Sequence, residues 1–187
     1  MNILNIQGST KEIDEYGNLV PFEVTNKVKI MEKYGDNIIT PITYWYSDLN
    51  LFETINREFV KNEIDAIVGN SAGGYMSFYL SNYYKIPALI LVPALASTSE
   101  APKIQKLPTE FYESPTFNKQ MVLIGNRDLK KKGGVDFHLS LEFLQSKDFF
   151  KVGNKMYVED GMSHYVPLDI FEKYFDKFYN LYLKKQF

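Results

Sequence analysis

One pentapeptide constrains this chain more than any other feature. Gly69-Asn70-Ser71-Ala72-Gly73, a G-x-S-x-G, directly follows the apolar run 64–68 and directly precedes a segment carrying Met76, Phe78, Tyr79, Leu80 and Tyr83 at helical spacing. A serine so placed stands at a tight strand-to-helix turn, its hydroxyl exposed and its backbone strained. The residues two before and two after it, here Gly69 and Gly73, must be small, because the turn packs strand closely against helix. The helix that follows aims its unpaired N–H groups at the same point. With 11 Gly and 11 Ser in 187 residues, chance would supply roughly 0.04 copies of the pattern.

The rest of the chain supports a strand before that turn and a helix after it, because short β-branched runs alternate with longer helix-period segments throughout. Residues 1–6 (MNILNI), 38–45, 64–68, 88–92 (ALILV), 121–124 (MVLI) and 156–158 read as strands. The unbroken apolar character of 88–92 fits a strand covered on both faces. Pro41 counts against a central position for 38–45. Helical spacing is found over 22–34, over Leu51, Phe52, Ile55, Phe59 and Val60 behind a candidate cap at Asp48, over 135–144, and over 167–183. Residues 96–118 hold three prolines and no clear period, so an irregular excursion is expected there. Alternation of this kind predicts an α/β chain: a three-layer α/β/α sandwich with a mostly parallel central sheet, formed as a single domain over 1–187. In such sheets functional groups gather at the carboxyl ends of strands.

Composition closes several alternatives. The absence of cysteine excludes disulfide scaffolds, thiolate metal sites and cysteine nucleophiles. Two histidines, His138 and His164, are too few for a histidine-rich metal site. A net charge of −2, with Arg57 and Arg127 the only arginines, argues against a nucleic-acid surface. The most apolar run, 86–96, is 11 residues long and contains two prolines, whereas a membrane helix needs about 20 apolar residues. The amino terminus lacks the features of a signal peptide, so a soluble, cytoplasmic protein is expected.

Two further clusters lie at strand ends. His164, in Asp160-Gly161-Met162-Ser163-His164, falls in the loop between the last strand and the final helix. From there an imidazole can reach a serine hydroxyl and serve as general base, then general acid. His138 sits inside an apparent helix and reads as structural or surface. A carboxylate should orient the imidazole. Asp128 follows the strand 121–124 in Gly125-Asn126-Arg127-Asp128 and lies between serine and histidine in chain order; Asp136, eight residues on, is the alternative. For an oxyanion formed at the serine, the Ala72 N–H supplies one donor, and Ser9, behind the turn at Gly8, the other. Tyr75, Phe111 and Tyr112 are candidate acyl-pocket walls, with ordinary core packing favoured for each.

Taken together, Ser71, Asp128 and His164 resemble the α/β-hydrolase superfamily in its Ser…Asp…His order. The likeness is best to the small YqiA-like bacterial esterases, which are compact and lack a large lid domain. It is strongest over 68–95 and extends to LIGNRD and EDGMSH. Where that family commonly has His-Gly after the first strand, this chain has Gln7-Gly8. The resemblance implies hydrolysis of a small-molecule carboxylic ester or thioester of modest acyl length through an acyl-enzyme on Ser71. Such a cycle needs no metal and no cofactor. A hydrolase-fold binding protein without catalysis, or a peptidase or amidase on the same residues, are the alternatives the sequence leaves open.

Overall fold

The computed structural model describes residues 1–8, 26–34, 37–48, 50–95, 105–127 and 136–184. Six parallel strands form the middle layer: β1 (Asn2–Ile6), β2 (Asn37–Ile39), β3 (Ala66–Asn70), β4 (Ala88–Leu91), β5 (Gln120–Gly125) and β6 (Lys155–Glu159). Their spatial order is β2-β1-β3-β4-β5-β6. The first crossover therefore runs outward to the β2 edge and the later ones run the other way, so the order reverses between β1 and β3. Ligand crevices in open parallel sheets form outside the strand ends at such a reversal.

Alternation along each strand divides the apolar residues between two faces. Leu4, Ile6, Ile67, Ile90, Val122 and Ile124 point to one side. There they meet α2 (Leu51–Lys61), α3 (Ala72–Tyr84), α4 (Thr109–Glu113) and α5 (Phe137–Ser146). Ile3, Val68, Leu89, Leu91, Met121 and Leu123 point to the other, against α1 (Asn26–Met31) and α6 (Leu168–Phe178). This is the three-layer sandwich expected. The helix α6 anchors its layer through Phe171, Phe175 and Phe178, all fully buried, each stabilising the fold by roughly 1.5–3 kcal/mol on leaving water. It runs on into a π-helical turn, Tyr179–Leu183. The helix α3, between β3 and β4, is buried from Ala72 through Asn82, which explains why its sequence is apolar nearly all round.

Several boundaries differ from the sequence reading, each for a local reason. The second strand stops at Ile39 instead of running to residue 45, as Pro41 would impose. Asp48 does not cap α2: its carboxylate accepts from the Asn50 N–H (2.9 Å), and the helix starts at Leu51 without a side-chain cap. Leu51, Ile55 and Phe59 form the inward stripe of α2, while Val60 is 65% exposed. Within the proline-rich excursion, the short helix α4 buries Phe111. Among the described residues no helix is long and apolar enough to cross a membrane.

Candidate active site

Ser71 occupies the single residue between β3 and α3, with φ 56° and ψ −116°. A side chain in this region of backbone space costs on the order of 1–3 kcal/mol and persists only where the surroundings over-determine it. They do so here through three hydrogen bonds. The Ser71 N–H donates to the Leu91 carbonyl (2.9 Å), and its own carbonyl accepts from Tyr75 N–H (3.1 Å) and Ala94 N–H (3.0 Å). The serine backbone is thereby fixed to β4, to its own helix and to the segment after β4.

The small residues of the pentapeptide have definite neighbours. A Cβ at Gly73 would run into the backbone carbonyls of Ile6 and Gln7, so this glycine lets the start of α3 lie on the end of β1. A Cβ at Gly69 would meet Ser77 Oγ and the Gly73 carbonyl inside the turn. Gly8 fits against the Ser71 side chain: a Cβ there would stand 2.8 Å from Ser71 Cβ.

His164 arrives from the opposite end of the chain. Its Nε2 lies 2.8 Å from Ser71 Oγ. In the tautomer with the ring proton on Nδ1, the hydroxyl donates to Nε2, the arrangement a general base requires. The loop delivering His164 is fastened to the end of β5. Arg127 N–H donates to the Met162 carbonyl (3.0 Å) and Gly161 N–H to Asn126 Oδ1 (2.8 Å). Asn126 Nδ2 donates in turn to Asp160 Oδ1 (2.5 Å). A Cβ at Gly125 would run into the Met162 carbonyl, so the loop depends on glycine there too.

Ala72 is buried at the first position of α3, where the N–H has no acceptor within its own helix. The segment after β1 is held by Trp45, whose indole N–H donates to the Gln7 carbonyl (3.0 Å). Trp45 is in turn held by Gln105, whose Nε2 donates to the carbonyls of Trp45 (3.1 Å) and Asp48 (2.8 Å). Asn126, Gly125, Trp45 and Gln105 carry no motif of their own. The signals pointing to any of them are that Gly125 and Asn126 adjoin a strand end and fall within LIGNRD.

Asp128 and Ser9, the expected acid and second oxyanion donor, lie outside the described residues. Asp136 caps α5, its Oδ1 accepting the N–H groups of His138 (2.9 Å) and Leu139 (3.1 Å). His138 is exposed and stacks edge-on against Phe137. Tyr75 is a core residue, and Tyr112 is partly buried against the same core. Tyr75 Oη donates to the Gln105 carbonyl (3.3 Å) and the two hydroxyls lie 2.7 Å apart. Burial and this neighbour push the Tyr75 phenol well above its ordinary range. Phe111 is 4% exposed and stacks on Tyr83.

The cleft at Ser71 opens instead toward the α1 and α6 layer. Its volume is about 610 Å³, and beside Ser71 and His164 its walls include Gln7, Lys27, Tyr165 and Leu168. Tyr165 is 70% exposed. Lys27, in the first turn of α1, is half-buried; desolvation lowers its ammonium pKa to about 8.

Residues 23–114, just under half of the chain, match the model of an uncharacterised protein family, UPF0227. No curated protein sequence gives a significant match. Among solved structures, an esterase from Pyrococcus furiosus superposes with a TM-score of 0.58 at 12% identity, over 97% of this chain and 82% of that one. Est1E from Butyrivibrio proteoclasticus, with ferulic acid bound, gives 0.64 at 12% identity over 97% and 89%. A meta-cleavage product hydrolase from Pseudomonas fluorescens gives 0.59 at 13% identity over 96% and 90%. At these identities the likeness is one of fold.

Proposed function

We propose that this chain, which is related to the α/β-hydrolase superfamily and carries its fold, is a serine hydrolase that cleaves a carboxylic ester or thioester through an acyl-enzyme on Ser71. The observation that carries this reading is a hydroxyl held on a strained, fully pinned backbone 2.8 Å from an imidazole nitrogen. Nothing in ordinary packing calls for a serine in that conformation, and a base at hydrogen-bond distance is what turns a weak nucleophile into a useful one.

The chemistry runs in two halves. His164 Nε2 takes the hydroxyl proton as Ser71 Oγ bonds to the substrate carbonyl carbon, and the electron pair moves to the carbonyl oxygen. The Ala72 N–H stabilises that oxyanion, together with an N–H from the segment after Gly8, where Ser9 is the candidate. As the carbonyl re-forms, the bond to the alcohol or thiol breaks and His164 protonates the leaving group. Water then attacks the acyl-enzyme by the same route, returning Ser71 and releasing the acid. Asp128 is the carboxylate proposed to orient His164. The apolar wall of Tyr165 and Leu168 suits an acyl or alcohol group of modest size.

Fluorophosphonate labelling tests the reading, with nitrophenyl butyrate hydrolysis as a second readout. The wild type should label at Ser71 and turn over. Ser71→Ala should do neither, and His164→Ala should lose at least three orders of magnitude in kcat/KM. Undiminished turnover by Ser71→Ala would remove the proposal.

A further inference from the structure

We infer that Lys27 forms an anion subsite of the catalytic cleft, so that the preferred substrates are esters that also bear a carboxylate or phosphate group. The inference rests on the proposed hydrolytic role of Ser71 and deepens it.

The argument starts from charge. Lys27 shares one cleft with Ser71 and His164, and no aspartate or glutamate is found among the described residues of its walls. Its ammonium makes no ion pair among the described residues. The neighbour it does have is the fully buried ring of Phe171, whose centroid lies 5.6 Å from Nζ. An aromatic face offers a cation a modest attraction and takes up none of its hydrogen-bond donors. Burial makes an ammonium costly to keep charged, and that desolvation is what lowers the pKa of Lys27. With a pKa of about 8, roughly nine-tenths of the molecules still carry the charge at neutral pH.

Such a group contributes little to the empty protein. It gains when a ligand brings a negative charge into the same cleft, because the ammonium then acquires the ion pair and hydrogen-bond acceptor that the described residues do not give it. The dimensions agree. About 610 Å³ accommodates a small metabolite, and Tyr165 and Leu168 line the same cleft as Lys27. An ester whose carbonyl sits at Ser71, with a short apolar spacer ending in an anion, would use all three features. A half-ester of a dicarboxylic acid has the anion on its acyl part, and a phosphorylated alcohol or thiol carries it on the leaving group.

The test compares matched esters in wild type, Lys27→Met and Lys27→Arg. Nitrophenyl butyrate is the neutral substrate, and the nitrophenyl half-ester of glutaric acid places a carboxylate at similar length. Free glutarate and inorganic phosphate serve as competing anions and separate the two anion sources. Lys27→Met keeps the apolar stem and removes the charge; Lys27→Arg keeps the charge. The ratio of kcat/KM for the half-ester to that for the butyrate should fall at least tenfold in Lys27→Met and stay within threefold of wild type in Lys27→Arg. Glutarate or phosphate inhibition should weaken in Lys27→Met by a similar factor, and whichever anion is the stronger inhibitor of wild type identifies the source. An unchanged ratio in a folded Lys27→Met protein overturns the subsite. Should wild type hydrolyse neither ester and resist fluorophosphonate, the hydrolase reading fails by itself. Calorimetric binding of glutarate and phosphate then decides the subsite alone: binding lost in Lys27→Met sustains it, and no binding to wild type ends it.

Discussion

The Trp45 indole N–H donates to the Gln7 carbonyl at 3.0 Å, joining the segment after β2 to the first residue beyond β1. Trp45 is 1% exposed and is the chain's one tryptophan. The bond therefore fixes the backbone immediately ahead of the proposed oxyanion segment from a wholly buried donor. Trp45→Phe leaves the Gln7 carbonyl short of a partner and the wall underfilled, at a cost of about 1–3 kcal/mol in chemical denaturation. As a positioning residue, Trp45 should affect kcat on nitrophenyl butyrate by about tenfold while KM changes less than threefold. Equal changes in both would assign it to packing alone. Since its fluorescence has no competitor, a shift in tryptophan emission on fluorophosphonate labelling should report events at Ser71 directly.

Strain at the serine has a stability signature separable from catalysis. Both Ser71→Ala and Ser71→Gly delete the hydroxyl, yet only glycine adopts φ 56°, ψ −116° at little cost. Ser71→Gly should therefore be the more stable of the two by about 1–2 kcal/mol. Ser71 precedes α3, so the glycine incurs no penalty inside a helix. Equal stability of the two variants would show that the turn stores no strain.

Close approach explains Gly73, and the contrast with Gly153 measures it. A methyl group at residue 73 collides with the Ile6 and Gln7 carbonyls, which are backbone and cannot rotate away, whereas one at residue 153 meets nothing within 4 Å and suffers only from φ +87°. Gly73→Ala should cost more than about 3 kcal/mol or fail to yield soluble protein. Gly153→Ala should cost about 1 kcal/mol. Thermal melts of the two proteins check the order.

Acid stability should depend on Glu159, at the carboxyl end of β6. Its carboxylate accepts from Tyr174 Oη (2.7 Å) and pairs with Lys173 Nζ (3.0 Å), and those two contacts hold its pKa below the ordinary carboxylate value. The folded state thus keeps Glu159 ionised at a pH where the unfolded chain has begun to take up a proton. Its contribution is complete above the unfolded pKa and disappears as pH falls through the folded one. Glu159→Gln should be less stable than wild type at pH 7 by about 0.5–1 kcal/mol, a figure limited by solvent screening. The two proteins should converge near pH 3. Denaturation midpoints from pH 7 to pH 3 give the difference directly, and a constant offset would rule out the ionic contribution.

The layers were legible because strand and helix periods are local. Apolar runs such as 88–92 and 121–124 declare buried parallel strands, and Leu51, Ile55 and Phe59 repeat once per helical turn. The turn at Ser71 was legible for a similar reason, since its steric demands fall on residues two positions away along the chain. The edge strand was shorter than its β-branched run suggested. Threonine and tyrosine propensity at 40–45 does not outweigh Pro41 and, among the described residues, an edge position in the sheet. Core packing is the favoured sequence reading of Tyr75 and Tyr112, and α3 does turn Tyr75 inward, to the Gln105 carbonyl and the Tyr112 hydroxyl.

The amino-acid sequence by itself determined the alternation of strands and helices, the strained serine turn and the absence of thiol chemistry, because each depends on residue type and on spacings of a few positions. Tertiary structure alone decided that His164 Nε2 meets Ser71 Oγ across 93 positions of chain, that Trp45 secures Gln7, and that Lys27 faces the same cleft without a carboxylate partner among the described residues. Those relationships arise from how the sheet orders its strands and from which helix covers which face. Such an outcome belongs to the packing of the whole core, and no short window of sequence contains it.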